Sequence, residues 1–171
     1  MIMNPNWHGL LKIYDIQLIS KTGAVIWETH DLLNTLHGGG ELFILTAVFS
    51  DKNVIPTNFY FGLDNRTTIT ANQTMSSISG EPTTNGYSRQ TASPGGQFQI
   101  ELSGSHYVAK APITIFSANG GSWGPVKTMF LTDKADNSGY LIASVYLTSP
   151  ITVQDGSTLN VRMGLGLKDC P

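Results

Sequence analysis

The last third of the chain limits the fold most. Three apolar, β-prone runs (Val126–Leu131, Tyr140–Leu147 and Leu159–Leu167) are separated by loops rich in Asp, Asn, Gly and Ser. Each run is about strand length, and the breaks use residues that tolerate turn geometry. Asp133–Gly139 supplies the first turn; Pro150 and the pair Asp155-Gly156 punctuate the return. The pattern predicts a β-meander. Its last strand should turn Leu159, Val161, Met163, Leu165 and Leu167 to one face and Asn160, Arg162, Gly164 and Gly166 to the other. The two glycines on that second face suggest a strand bend or a close backbone neighbour.

Upstream, Leu10–Ser20 and Ala24–Glu28 flank Lys21-Thr22-Gly23 as a predicted hairpin, with Ile16 and Leu18 alternating against Asp15 and Gln17. Trp27 is expected as a core or interface anchor. Gly38-Gly39-Gly40 lacks the Lys-Ser/Thr of a phosphate cradle and reads as a flexible lead-in to Glu41–Phe49. That segment is the one plausible substantial helix, with a wide apolar face, although its Val, Ile, Thr and Phe also suit a buried strand. Asn58–Leu63 reads as a short aromatic strand, and Thr74–Ile78 as a single helical turn. Gln97–Leu102 alternates, so Phe98, Ile100 and Leu102 are expected inward; Tyr107–Lys110 and Pro112–Ser117 continue the pattern, with Ile113, Ile115 or Phe116 buried.

Together these segments predict a mainly β protein. The expected architecture is a single-domain antiparallel β-sandwich or jelly-roll-like barrel with one short helix, covering residues 10–171 behind an N-terminal arm of residues 1–9. At 171 residues such a domain can bury a real core. No internal repeat or linker divides it.

Composition narrows the function. Charged residues make up only 13% of the chain, so the surface must rely on Ser, Thr, Asn, Gln and Gly, as suits a protein packed against neighbours. A net charge of −2 with scattered Lys and Arg gives no electrostatic reason to bind nucleic acid or an anionic membrane. The single cysteine, Cys170, cannot form an internal disulfide and reads as a spectator thiol. Met1–Asn6 lacks the pattern of a signal peptide, and no apolar stretch approaches a spanning helix. The Asn-x-Thr triplets at Asn65 and Asn72 are therefore taken as chance matches.

Catalytic chemistry does not announce itself. His8, His30, His37 and His106 do not fall at metal-ligand spacings. Asp133–Gly139 is oxygen-rich but lacks the alternating acids and terminal Glu of an EF-hand, so a turn is expected. No Gly-x-Ser-x-Gly elbow occurs, and no two carboxylates pair by spacing as acid and base. Neither catalytic, cofactor nor metal residues are assigned. Trp7, Trp27 and Trp123, with Tyr60, Tyr87, Tyr107 and Tyr146, could line a sugar-binding face, but such residues are more often core or subunit-interface residues.

The pieces Phe59-Tyr-Phe-Gly-Leu-Asp-Asn65, Gly86-Tyr-Ser-Arg-Gln90, Gly120-Gly-Ser-Trp-Gly-Pro125 and Gly139-Tyr-Leu-Ile-Ala-Ser144 lie in a chain that, from Trp27 to Leu167, resembles small virion structural proteins of tailed bacteriophages. Such proteins are capsid decoration (cement) proteins, head-fibre bases, or tail and baseplate components. The resemblance implies a non-enzymatic structural protein of the virion, assembled in the bacterial host cytoplasm. A capsid decoration subunit that stabilises the head by oligomeric packing is the first expectation. The alternatives are a tail or baseplate component and a carbohydrate-binding (receptor-binding) module. Implied partners are the major capsid protein or other virion structural proteins and further copies of the chain, with a trimer as the expected count. The candidate interface residues are Trp7, in the arm, and Tyr87 and Trp123, in Gly-rich loops, because apolar side chains in polar settings need a partner surface.

Overall fold

The computed structural model describes residues 7–50, 55–66, 69–104 and 106–169, with side chains described for all of these except 7–11, 33–35, 106 and 167–169. Two antiparallel sheets pack face to face as an open sandwich, without barrel closure among the described residues. The strands are β1 (Trp7–Ile19), β2 (Val25–Thr35), β3 (Phe59–Asp64), β4 (Gln90–Ala92), β5 (Gln99–Ser103), β6 (His106–Lys110), β7 (Thr114–Ser117), β8 (Trp123–Thr132), β9 (Leu141–Val153) and β10 (Thr158–Asp169). The larger sheet runs β2-β1-β10-β6-β5, with β7 also on β10; the smaller runs β4-β3-β8-β9. A helix, α1 (Gly38–Phe49), follows β2, and a single 3₁₀ turn spans Met75–Ser77.

The N-terminal hairpin forms as expected. Its turn is closed by Ser20 N–H donating to Ala24 O at 2.8 Å, with Gly23 at φ +87°, where a β-carbon would be strained. β1 begins at Trp7, so the last three residues of the expected arm belong to a strand; residues 1–6 lie outside the described residues. β1 then pairs with β10 from Trp7 opposite Asp169 to Ile19 opposite Thr158, which ties the two ends of the described chain together.

The three C-terminal runs do not form a meander. β8 and β9 pair, but β10 crosses to the other sheet. β9 and β10 each carry one apolar face, and the turn at Gly156 (φ +77°) stacks those faces instead of pairing their edges. Leu159, Val161 and Met163 point inward as predicted and meet Val145, Ile151 and Val153 in one core. Pro150 does not end β9. It lies inside it, where the register against β8 skips from Tyr146 to Ile151 and no ladder N–H is required of it. The nearest neighbour of Gly164 is a side chain and not backbone, since a β-carbon there would sit 2.8 Å from the Tyr14 ring and 3.4 Å from Ala109 O.

One further expectation is corrected. The three glycines are not a flexible lead-in but the first turn of α1, which crosses β9 at close range. A β-carbon on Gly40 would lie 2.2 Å from the Ile142 carbonyl oxygen, and one on Gly39 3.0 Å from that of Leu141. Only residues without side chains let the helix approach this far. The Glu41–Phe49 helix itself forms as predicted.

Candidate assembly surface

Several groups able to do chemistry are engaged in holding the fold. His37 ends β2's connection to α1 and is buried, with Nε2 2.7 Å from Ser144 Oγ and Nδ1 3.3 Å from Ala71 O. Burial pushes its pKa below the usual imidazole value. Asp64, fully buried, accepts from Arg66 Nε at 2.9 Å and from the Arg66 backbone N–H at 2.8 Å. Glu81 takes a bidentate pair from Arg89, at 2.9 and 2.7 Å, and the Tyr87 hydroxyl donates to it at 2.6 Å. Arg89 also donates to the carbonyls of Asp136 (2.8 Å) and Lys134 (3.3 Å) and to Asn137 Oδ1, which pins the 133–139 loop to the domain. That loop is the predicted turn, and its acids serve it internally. Asp133 accepts from the Tyr140 N–H at 2.6 Å and Asp136 from Ser138, whose hydrogen bonds lower the Asp136 pKa.

Asp64 and Glu81 also line a polar cavity of about 310 Å³ with Ser79, Thr83, Ser122 and Trp123. Both carboxylates there are matched by arginines. No group of three or more His, Cys, Asp or Glu placed to hold a metal occurs among the described residues.

Of the candidate interface residues, Trp7 is placed by its backbone in β1 and its side chain lies outside the described residues. Tyr87 and Trp123 turn inward. Trp123 is 5% exposed, and the Tyr87 ring stacks on Phe116 (6.1 Å, 6°) and meets Trp123 edge-on at 5.7 Å. The Tyr87 hydroxyl accepts from the Leu63 N–H at 2.9 Å; burial, then the Glu81 charge, raise its pKa. The other aromatic residues do not make one face: Trp27 packs on the core from β2, Tyr146 is bonded to Ile69, and Tyr107 is exposed on β6.

The exposed apolar surface lies elsewhere. On α1 the buried residues are Gly40 and Phe43, while Leu42, Leu45, Val48 and Phe49 face outward, Phe49 at 82% exposure. Leu42, Leu45 and Phe49 follow the i, i+3, i+7 spacing of a docking face, with Val48 beside them, so α1 carries apolar residues on both its sides. The second surface is on β5 and β6. Ile100 and Leu102 do lie on the inward face of their sheet, in register with Ala109 and Tyr107, and Ala109 stands beside Leu165 of β10. Yet Ile100 is 70% and Tyr107 68% exposed, because the smaller sheet ends before it covers them. The prediction of inward orientation holds for the face; the prediction of burial does not. The signal for α1 was its run of apolar residues; nothing in the alternation of β5 reveals where the opposing sheet stops.

Both surfaces flank one end of the sandwich. An aromatic ladder joins them: Tyr140 to Phe43 of α1 (5.9 Å), Phe43 to Phe59 (5.8 Å), and Phe59 to Phe98 just ahead of β5 (6.0 Å).

Residues 41–165 match the family of the podophage GP4 fiber I protein gp80. The chain belongs to this family. The matched segment runs from α1 through β10 and includes both exposed apolar surfaces, whereas the β1–β2 hairpin precedes it. Membership makes the chain a structural protein of a tailed-phage virion, in agreement with the resemblance noted in the sequence. No curated protein matches the chain. Among the described residues, no helix is long and apolar enough to cross a membrane.

Proposed function

We propose that the chain is a non-enzymatic subunit of a phage fibre, whose work is done by packing against other subunits. The family match carries the reading, since its namesake is described as a fibre protein. The physics of the surface supports it. Apolar residues are concentrated on α1 and on the uncovered part of β5 and β6, and the ionisable groups near the 310 Å³ cavity are spent on one another. Large exposed apolar areas on a stable β domain mark association surfaces. Partners in this reading are virion structural proteins and copies of the chain; nucleic acid and membrane are not among them. Capsid decoration has no observation of its own in the fold or the family, so the fibre is preferred to the head lattice.

Gold-labelled antibody against the chain, imaged on intact virions, tests this. Label confined to fibres is the expected result. Label spread evenly over the head would restore the decoration reading and overturn this one.

A further inference from the structure

We infer that the outer face of α1 in one copy covers the open β5–β6 face of a second copy, so that subunits join head to tail. The inference deepens the fibre-subunit reading and rests on it. Three observations lead there.

The first is that the sandwich is unfinished. The row Leu165–Ala109–Ile100 and the pair Leu102–Tyr107 continue the inner face of the larger sheet past the edge of the smaller one. A sheet face of this composition is stabilised only when another layer lies on it. The second is that α1 has what that layer needs. Leu42, Leu45 and Phe49, with Val48 beside them, form a helix stripe of the kind that packs on a sheet, and Phe43 and Gly40 already fix the opposite side of the helix to its own domain. The two faces are complementary in type, one helix and one sheet, and the same chain carries both. A contact between two different patches of identical subunits is heterologous, and it repeats from copy to copy.

The third is area. Leu42, Leu45, Val48, Phe49, Ile100, Leu102 and Tyr107 are between 51% and 82% exposed. At the size of large apolar side chains the two faces together present on the order of 800 Å², about the apolar half of the roughly 1,600 Å² that a standard interface buries over both partners.

The test uses the full chain and two variants altered only at exposed positions: Leu45→Glu with Phe49→Glu, and Ile100→Glu with Leu102→Glu. Circular dichroism and thermal unfolding first check that each remains folded. Light-scattering mass should show the unaltered chain as an oligomer and each variant alone as a monomer. An equimolar mixture of the two variants should recover a one-to-one dimer, since each retains the face that the other has lost. A mixture that stays monomeric, or a variant that stays fully oligomeric, overturns the head-to-tail contact. An unaltered chain that is monomeric, while antibody still labels fibres, overturns self-association and leaves the fibre reading standing. Monomer together with label on the head overturns both.

Discussion

The packing of α1 on β9 yields a test in which two well-measured effects oppose each other. Replacing glycine by alanine inside a helix ordinarily stabilises by about 1 kcal/mol, because alanine gives up less backbone freedom on folding. Across Gly38, Gly39 and Gly40 that gain should be similar in kind, but the space is not. A β-carbon on Gly38 would stand 3.9 Å from its nearest neighbour, Ala71 O, which is ordinary contact. On Gly39 it would stand 3.0 Å from Leu141 O, and on Gly40 2.2 Å from Ile142 O and 2.9 Å from the Ile142 Cα. The Gly40 obstacle is backbone near the start of β9, its carbonyl held by the His37 N–H at 2.9 Å, and it cannot rotate aside. The helix would have to lift by about 1 Å, loosening Phe43 from Phe59 and Tyr140, and overpacking of this order costs about 1–3 kcal/mol. Gly38→Ala should therefore raise stability by up to about 1 kcal/mol, Gly39→Ala should change little, and Gly40→Ala should lower stability by a net 1–2 kcal/mol or so. In urea titrations with a slope near 2 kcal/mol/M, each kcal/mol moves the midpoint by about 0.5 M, which is readily measured. A Gly40→Ala midpoint equal to or above that of the unaltered chain would refute the close seating of the helix on β9.

Two other perturbations probe the buried polar groups. Arg89→Met should destabilise by roughly 3–5 kcal/mol, because Glu81 and the carbonyls of the 133–139 loop lose a donor that is itself only 8% exposed; chemical denaturation checks this, and Glu81→Gln, which can still accept from Tyr87, should cost less. His37 is held neutral by burial, with a folded pKa below its ordinary 6.5. The unfolded chain then takes up the proton first, so the stability due to His37 is intact above about pH 6.5 and is lost as the pH falls through the folded value. His37→Gln should flatten the stability curve between pH 6.5 and the acid limit, and an unaltered slope would show that other groups carry it.

The fold was largely legible in the sequence because its turns are written in residue types. Lys21-Thr22-Gly23, Asp133–Gly139 and Asp155-Gly156 each mark a reversal that the structure contains. Which strands pair was less legible. The turn at Asp155-Gly156 shows that β9 ends, but the choice between pairing with it and stacking over it depends on where β1 and β6 are, tens of residues away in sequence. Burial fails for the same reason. Phe98, Ile100 and Leu102 share one alternation, and only Phe98 finds a neighbour, Phe59, because the opposing sheet reaches that far and no farther. Trp123 was misplaced in the opposite sense: its glycine neighbours suggested an open loop, while the ring closes the core beside Tyr87. The family, by contrast, was within reach of the sequence: the resemblance ran from Trp27 to Leu167, and the match from residue 41 to 165 lies inside that stretch and contains all four of the pieces that carried it.

The pairing of β1 with β10 has a mechanical consequence. Residues 7 and 169 stand opposite each other at one end of an antiparallel ladder. Tension applied to the chain at these two points would open the ladder like a zipper, one rung at a time, so that each pair of hydrogen bonds meets the full force alone. A tether of that geometry yields at low load. If subunits of a fibre are to withstand pulling, the stress has to bypass the chain ends and travel through broad side-to-side contacts, where many groups share it at once.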